Sequence, residues 1–191
     1  MKKLLIATII LALLFSVSSF AQDSHLKFKG IPIDGNYVTF AQKLIQKGFR
    51  QVEEADYGVV LKGSFMAKPD VTVVVYANPV SKVVSSVAAC IKPGNNWALL
   101  EKEYYSIVDT YKQKYGEPFN QTEGFSTRVD GEYDRLSAIR DGQCDYKTEW
   151  VVEGGGIMIT FQYVEYNYYV CCIYMDEQNM TALKQTIIDD I

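Results

Sequence analysis

Histidine chemistry has little basis in this chain, because His25 is its only histidine. A Ser-His or Cys-His catalytic pair needs an imidazole to take the proton of the nucleophile, and His25 lies before the first helix and strand patterns. Histidine-based metal sites lack ligands for the same reason. The cysteines also lack the Cys-x-x-Cys spacing of zinc ribbons and thioredoxin-like redox motifs. We therefore expect neither a metal nor a cofactor.

Four acidic residues approach the spacing of a calcium-binding loop. The series occupies positions 1, 3, 5 and 12 of such a loop: Asp130, Glu132, Asp134 and Asp141. Arg135 stands at the sixth position, where the sharp turn of a calcium loop requires Gly. A solvated acidic turn therefore explains these residues better than a calcium site.

Three other carboxylates are candidates for hydrolysis of glycosides. That reaction needs two carboxylates roughly 5 to 9 Å apart in a cleft. Glu149, Glu153 and Glu165 qualify because they lie on one predicted sheet. The same residues are better explained as the solvated face of that sheet. We therefore expect no enzyme activity, with a carboxylate-dependent hydrolase as the alternative.

Tyrosines are a stronger feature of the chain than its carboxylates. Four of the 14 tyrosines crowd around one predicted turn: Tyr163, Tyr166, Tyr168 and Tyr169. Exposed tyrosines often form recognition surfaces, because each gives a large contact area at a small cost in entropy. The structural alternative is that they form cross-strand pairs that stabilise the sheet. We take the four as candidate binding residues for a protein or a glycan.

These tyrosines belong to a predicted three-stranded antiparallel meander at residues 145–176. Ile157 and Ile159 alternate with other residues along the middle strand, which predicts one buried face. Glycine tolerates positive φ and asparagine accepts a left-handed conformation, so the turns are expected at residues 153–156 and 166–167. The meander is the element around which we expect the rest of the chain to pack.

Helix and strand patterns continue along the rest of the chain. Helices are predicted from residue 37 to a stop at Gly48 and at residues 97–115, 132–140 and 176–191, and strands at residues 50–54, 57–66, 71–77, 81–92 and 125–129. Asp34 or Asn36 caps the first helix, and Asn95 or Asn96 caps the second. A turn is expected at residues 68–70. The third strand is apolar on both faces and should be central, and the small residues of the fourth imply that another element packs closely against it.

This order predicts an α+β fold built from two tandem units. Each unit has one helix packed on an antiparallel four-stranded sheet, and a short C-terminal helix follows the second. The first unit covers residues 22–92 and the second residues 93–191. A single α+β sheet whose halves are only incidentally similar is the alternative.

The N-terminus predicts a secretory signal peptide at residues 1–21. Lys2 and Lys3 precede an apolar run that is too short to span a bilayer, and Ser19-Phe20-Ala21 fits cleavage before Gln22. An uncleaved membrane anchor is the alternative. We expect a secreted or periplasmic protein without a membrane span in the mature chain. Removing the two lysines leaves 17 basic against 23 acidic residues, so nucleic acid is a poor partner.

The four cysteines leave two states open in such a compartment. Cys171 and Cys172 are neighbours on a strand and face opposite sides of the sheet. A bridge from Cys144 to either of them needs a strand order other than the simple meander, or a reach around the end of the sheet. Cys90 is the fourth cysteine. One disulfide is chemically permitted outside the cytoplasm, but we favour buried free thiols.

Two resemblances bear on these expectations. Residues 27–35, the Lys47-Gly-Phe49 exit of the first helix and residues 173–179 resemble a group of uncharacterised secreted proteins of Bacteroidetes. This resemblance implies a compartment and no catalytic residues. The tandem layout is similar to the β-lactamase inhibitor protein architecture, in which repeats join sheets into a concave surface. That similarity concerns the fold alone, from which function does not follow.

The sequence therefore favours a non-catalytic binding module. We expect it to recognise a protein or a glycan through a sheet face or the tyrosine-rich turn. The carboxylate-dependent hydrolase is the alternative. A carrier of an apolar ligand is the third reading, provided that helix and sheet leave a cavity between them.

Overall fold

The structure is a computed structural model that describes residues 24–55 and 57–189. The predicted signal peptide and its cleavage site lie outside the described residues. Within these residues, no helix has the length and apolar character needed to cross a membrane.

Asparagine side chains start the two main helices. Helix α1 is Tyr37–Gln46 and α2 is Trp97–Tyr115. The side chains of Asn36 and Asn96 each accept a hydrogen bond from a backbone N–H in the first turn. Each cap satisfies a donor that has no partner inside the helix. Both predicted helices are thus confirmed, with one of the two caps proposed for each.

Two shorter helices follow in the second half of the chain. Helix α3 is Glu132–Arg140 and α4 is Glu177–Asp189, as the patterns predicted. The strand predicted at residues 125–129 is wrong, because that stretch contributes only an isolated bridge between Phe125 and Cys144. The edge of the sheet is formed by a three-residue strand, Asn120–Thr122, that the patterns did not predict.

The strands form a small hairpin and one large sheet. The hairpin pairs β1 (Lys27–Phe28) with β2 (Ile31–Pro32). The sheet contains β3 (Arg50–Ala55), β4 (Gly58–Phe65), β5 (Lys68–Ala77), β6 (Val84–Ile91), β7 (Asn120–Thr122), β8 (Lys147–Val152), β9 (Gly155–Val164) and β10 (Asn167–Asp176). Its order is β3-β4-β5-β6-β10-β9-β8-β7, and every neighbouring pair is antiparallel. A β-bulge interrupts the outer strand β3 between Gln51 and Glu53.

The two halves of the chain meet in the middle of this sheet. Strands β3 to β6 follow α1, and β7 to β10 follow α2. The antiparallel α+β class is confirmed, but the expectation of one four-stranded sheet per unit is wrong. Strand β10 pairs with β6 from Val170↔Ile91 to Met175↔Ser86, which makes a single eight-stranded sheet. The pairing satisfies backbone groups that would otherwise form a free edge on each half.

The same pairing places two cysteines opposite each other. Cys90 of β6 and Cys171 of β10 form a disulfide across the junction. Cys144 and Cys172 are free, and Cys172 is fully buried. The preference for free thiols is thus right for two cysteines and wrong for the other two. The meander alone did not reveal that Cys90 would lie beside Cys171.

Two predicted turns are displaced along the chain. Glu165 and Tyr166 form the β9–β10 turn with positive φ, whereas Asn167 is the first residue of β10 and donates its side-chain N–H to the Glu165 carbonyl. Met66 and Ala67 form the β4–β5 turn, also with positive φ. Residues 68–70, predicted as that turn, belong to β5.

One face of the sheet carries the main core. Ile157 and Ile159 are buried there, as the alternation predicted. The aromatic stripe of α2 packs onto the same face: the ring of Tyr104 lies 5.2 Å from that of Phe161, and the ring of Tyr111 lies 5.7 Å from that of Trp150. The opposite face is left to α4, which is where the candidate site lies.

Candidate functional site

A groove of about 910 Å³ lies on the sheet face that α1 and α2 do not cover. Side chains on this face alternate with the core residues of the same strands. The register places four of them side by side across the sheet: Val60, Val74, Ala88 and Ile173. All four line the groove and form a continuous apolar floor over β4, β5, β6 and β10.

Helix α4 forms one wall of the groove. Met180, Leu183 and Ile187 all line it. Residues spaced by three, four and seven positions share one face of a helix, so a single side of α4 is turned toward the sheet. Near the far end of the helix, Asn78 Nδ2 donates a hydrogen bond to Thr186 Oγ1 over 2.8 Å. This contact ties α4 to the β5–β6 connection.

A buried carboxylate holds the other end of α4. Asp176 is fully buried, and its Oδ1 accepts a hydrogen bond from the Asn179 backbone N–H over 3.0 Å. Its Oδ2 accepts from the Leu26 backbone N–H over 2.9 Å and lies 3.0 Å from His25 Nδ1. His25 Nε2 also lies 3.6 Å from Asp34 Oδ2. The only histidine therefore fastens the start of the described chain to the start of α4.

We call each row of residues that lie opposite one another across the strands a rung. The next rung beyond the apolar floor, further from α4, is polar. Lys62 of β4 lies opposite Thr72 of β5, and Thr72 lies opposite Cys90 of the disulfide. Among the described residues, the Lys62 ammonium has no carboxylate within 4.0 Å and donates no side-chain hydrogen bond. Gln162 and Tyr169, which are opposite each other on β9 and β10, continue this polar end.

Charged and phenolic groups at the rim complete the groove. Glu53 on β3 and Glu165 in the β9–β10 turn are exposed carboxylates. Tyr76 lines the groove beside the apolar floor, and burial raises the pKa of its hydroxyl. That hydroxyl therefore stays protonated at neutral pH and can donate or accept a hydrogen bond.

The structure distributes the four candidate tyrosines over three places. Tyr163 and Tyr168 are opposite each other, with ring centroids 4.9 Å apart, and pack against the core on the helix-covered face. Tyr166 is 87% exposed at the β9–β10 turn. Only Tyr169 lines the groove. Tyr163 and Tyr168 therefore form a cross-strand pair, which was the structural alternative to a binding role for these tyrosines.

Two of the three candidate catalytic carboxylates are far apart. Glu153 and Glu165 lie in the turns at opposite ends of β9, which the rise of a strand places roughly 30 to 40 Å apart. Glu149 lies on β8, where its Oε2 accepts a hydrogen bond from Asn120 Nδ2. Glu153 and Glu165 therefore do not form a pair with the spacing that glycoside hydrolysis needs.

The acidic residues of the calcium-like spacing have local partners. Asp130 pairs with Arg128 over 2.9 Å, and Asp141 pairs with Arg140 over 2.8 Å. The Arg140 guanidinium lowers the pKa of the Asp141 carboxyl through their hydrogen bond. Among residues 24–55 and 57–189, no three His, Cys, Asp or Glu side chains converge as metal ligands.

The residues that line the groove were only partly visible in the sequence. The apolar faces of β5 predicted a central strand, and β5 does lie inside the sheet. The small residues of β6 predicted that another element packs closely against that strand, and α4 does contact it. Lys62 and Thr72 were not singled out, because a lysine and a threonine on a strand look like ordinary solvent-facing residues. Their significance depends on the rung to which β4 and β5 bring them.

Comparison of the chain with models of protein families, with curated proteins and with solved structures found no match. The two resemblances of the sequence stay predictions.

Proposed function

We propose that this chain is a non-catalytic binding module that holds a small apolar ligand in the sheet groove. The apolar floor of the groove carries the proposal. In an antiparallel sheet the face turned away from the core is commonly polar, yet here Val60, Val74, Ala88 and Ile173 form an aliphatic row on it. The volume of about 910 Å³ falls within the range of about 300 to 1,000 Å³ that is usual for small-ligand sites.

The composition of the groove supports binding rather than catalysis. The described residues that line it include no histidine and no free cysteine. Its two carboxylates, Glu53 and Glu165, lie on the rim and are exposed to solvent. The sequence predicted a binding module that uses a sheet face, a hydrolase and a carrier of an apolar ligand. This proposal combines the sheet face of the binding module with the apolar ligand of the carrier. No observation favours the hydrolase.

A neutral fluorescent probe tests the proposal. We expect Nile red to bind the wild-type protein saturably at one site, because the groove offers a water-poor apolar floor. Leu183→Gln places an amide in the helix wall, and Ala88→Phe fills the floor. Each should weaken binding by roughly tenfold or more, which is the effect of losing about 1.4 kcal/mol of apolar contact. Fluorescence titration measures these affinities.

A neighbouring residue of α4 provides the matched control. Ile188 is half exposed and does not line the groove, so Ile188→Gln should leave Nile red binding unchanged. Circular dichroism checks that all variants are folded. Absence of saturable binding to the wild type would contradict the proposal, as would equal effects of Leu183→Gln and Ile188→Gln.

Recognition of a protein or a glycan at the β9–β10 turn is a second candidate function. The exposure of Tyr166, 87%, favours it, because a large aromatic ring at the tip of a turn is free to contact a partner. Tyr166 does not line the groove. Tyr166→Ala is therefore the variant that separates the two functions.

We also propose that the protein works outside the cytoplasm, in the periplasm or after secretion. The disulfide between Cys90 and Cys171 supports this location, because disulfides persist in oxidising compartments and are rare in the cytosol. The predicted signal peptide at residues 1–21 points the same way.

A further inference from the structure

The residues at the polar end of the groove restrict the class of ligand that the groove can hold. This inference rests on the proposed function. We propose that the groove binds a free long-chain fatty acid. Its carboxylate lies at Lys62, and its hydrocarbon chain runs over the aliphatic floor toward α4.

The order of the rungs gives the groove a direction. Val60 and Val74 form one rung, and Lys62 and Thr72 form the next on the same face of β4 and β5. Two residues along a strand correspond to about 7 Å. The floor therefore changes from aliphatic to cationic over a distance comparable to one head group. A ligand that is apolar along its length and anionic at one end matches this change.

Lys62 supplies the charge that such a ligand needs. Its side chain is half-buried on the groove floor, and it has no ion pair among the described residues. An ammonium partly removed from water gains from a charge-assisted hydrogen bond to an anion. Thr72, directly opposite, adds a hydroxyl that can donate to the same carboxylate.

The rim carboxylates favour a singly charged head group. Glu53 lies opposite Val60, on the diagonal from Lys62, a geometry that separates side chains by about 7 Å. Glu165 stands at the other rim of the groove. Arg50, directly opposite Lys62 on β3, pairs with Asp70 over 3.7 Å and does not line the groove, so Lys62 is the groove's unpaired cation among the described residues. One lysine neutralises one negative charge, whereas a phosphate head would bring a second charge toward two carboxylates. The arrangement therefore fits a carboxylate better than a phosphate.

The space between sheet and helix suits a single hydrocarbon chain. Ser86 and Ala88 are small residues on β6, the strand that α4 crosses. Leu183 and Met180 line the same groove from the helix. A flexible alkyl chain can lie between these small floor residues and the helix wall and contact apolar groups on both sides.

A fluorescent fatty acid and its neutral ester test the head-group contact. We expect wild-type protein to bind cis-parinaric acid roughly tenfold more tightly than its methyl ester, as expected for one charge-assisted contact. Lys62→Met keeps the length of the side chain and removes its charge. It should abolish the preference for the acid and leave the affinity for the ester unchanged, which also shows that the variant is folded.

Two further variants sharpen the result. Lys102→Met removes an exposed lysine of α2 on the other side of the sheet and should keep the preference. Glu53→Gln removes a competing carboxylate and should tighten binding of the acid. If wild type and Lys62→Met bind acid and ester equally, the head-group proposal is overturned and the apolar groove stands. If neither ligand binds the wild type, both proposals fail.

Discussion

Tyr104 and Thr148 form a buried hydroxyl pair between α2 and β8. Their oxygens are 2.6 Å apart, and both residues are fully buried. Burial raises the pKa of Tyr104 to about 12, so the phenol stays protonated through the physiological range. Each hydroxyl is the hydrogen-bond partner of the other in a place that water does not reach. Removing either one alone should therefore lower the stability of the fold.

Tyr104→Phe should lower the free energy of unfolding by about 1 to 3 kcal/mol, because it leaves the Thr148 hydroxyl buried without a partner. Adding Thr148→Val should recover most of this loss. Urea unfolding measures both effects. Tyr105→Phe is the matched control: it removes an exposed hydrogen bond to Glu123 from the same helix and should cost less. A double variant as unstable as the sum of its parts would contradict the pairing.

The same pair predicts a dependence on alkaline pH. Folding raises the pKa of Tyr104 from 10 to about 12, so the folded state favours the neutral phenol. This contribution is complete below pH 10 and is lost as the pH rises through about 12. Tyr104→Phe should therefore lose less stability than wild type across this window, as measured by unfolding at a series of pH values.

At the scale of elements, α4 depends on contacts at its two ends. The helix has no fully buried residue, so little core packing holds it. Asp176 at its start and Asn78 near its end instead fasten it across the sheet. Since α4 is also the wall of the groove, the order of this helix and the shape of the binding site are coupled.

Asp176→Ala should release α4 before the sheet. The substitution removes acceptors of the Asn179 and Leu26 N–H groups, so amides of α4 should exchange with solvent at least tenfold faster. Amides of β9 and β10 should keep their protection. Hydrogen exchange with mass spectrometry measures both. Asp176→Asn retains an oxygen at the capping position and is the matched control. Equal protection of α4 in Asp176→Ala and wild type would show that the cap is dispensable.

The elements also show how far the sequence predicts the fold. Helices α1 and α2 were predictable because Asn36 and Asn96 mark their starts and their apolar spacing is local. The pairing of β6 with β10 was not, since nothing in either strand specifies a partner some 80 residues away. The disulfide and the groove both depend on that pairing. The candidate site was therefore the part least accessible to local patterns.

At the scale of the molecule, the disulfide fastens the two halves at their junction. Cys90 and Cys171 are 81 residues apart in the chain, so the bond closes a long loop. In the chain-entropy view, a longer loop removes more freedom from the unfolded state. The strands it joins are already paired over six residues, so we expect its main effect on the unfolded chain.

Replacing both bonded cysteines by Ala should lower the free energy of unfolding by about 4 kcal/mol, from the loop length. Urea unfolding under non-reducing conditions measures the loss. Cys144→Ser removes a free thiol and is the control for loss of a cysteine. Thiol titration of unfolded wild type should find two reactive groups. Four reactive thiols would contradict the disulfide.

The central pairing also decides what the sheet presents to other molecules. It pairs the inner strand of each half, so among the described residues the eight-stranded sheet ends at β3 on one side and at β7 on the other. Strand β7 has three residues, and β3 is broken by its bulge and carries Arg50, Glu53 and Glu54. Such borders are poor templates for adding a strand from another copy. We therefore expect a sheet with these borders to resist growth into a fibril, and crowded copies should remain dispersed.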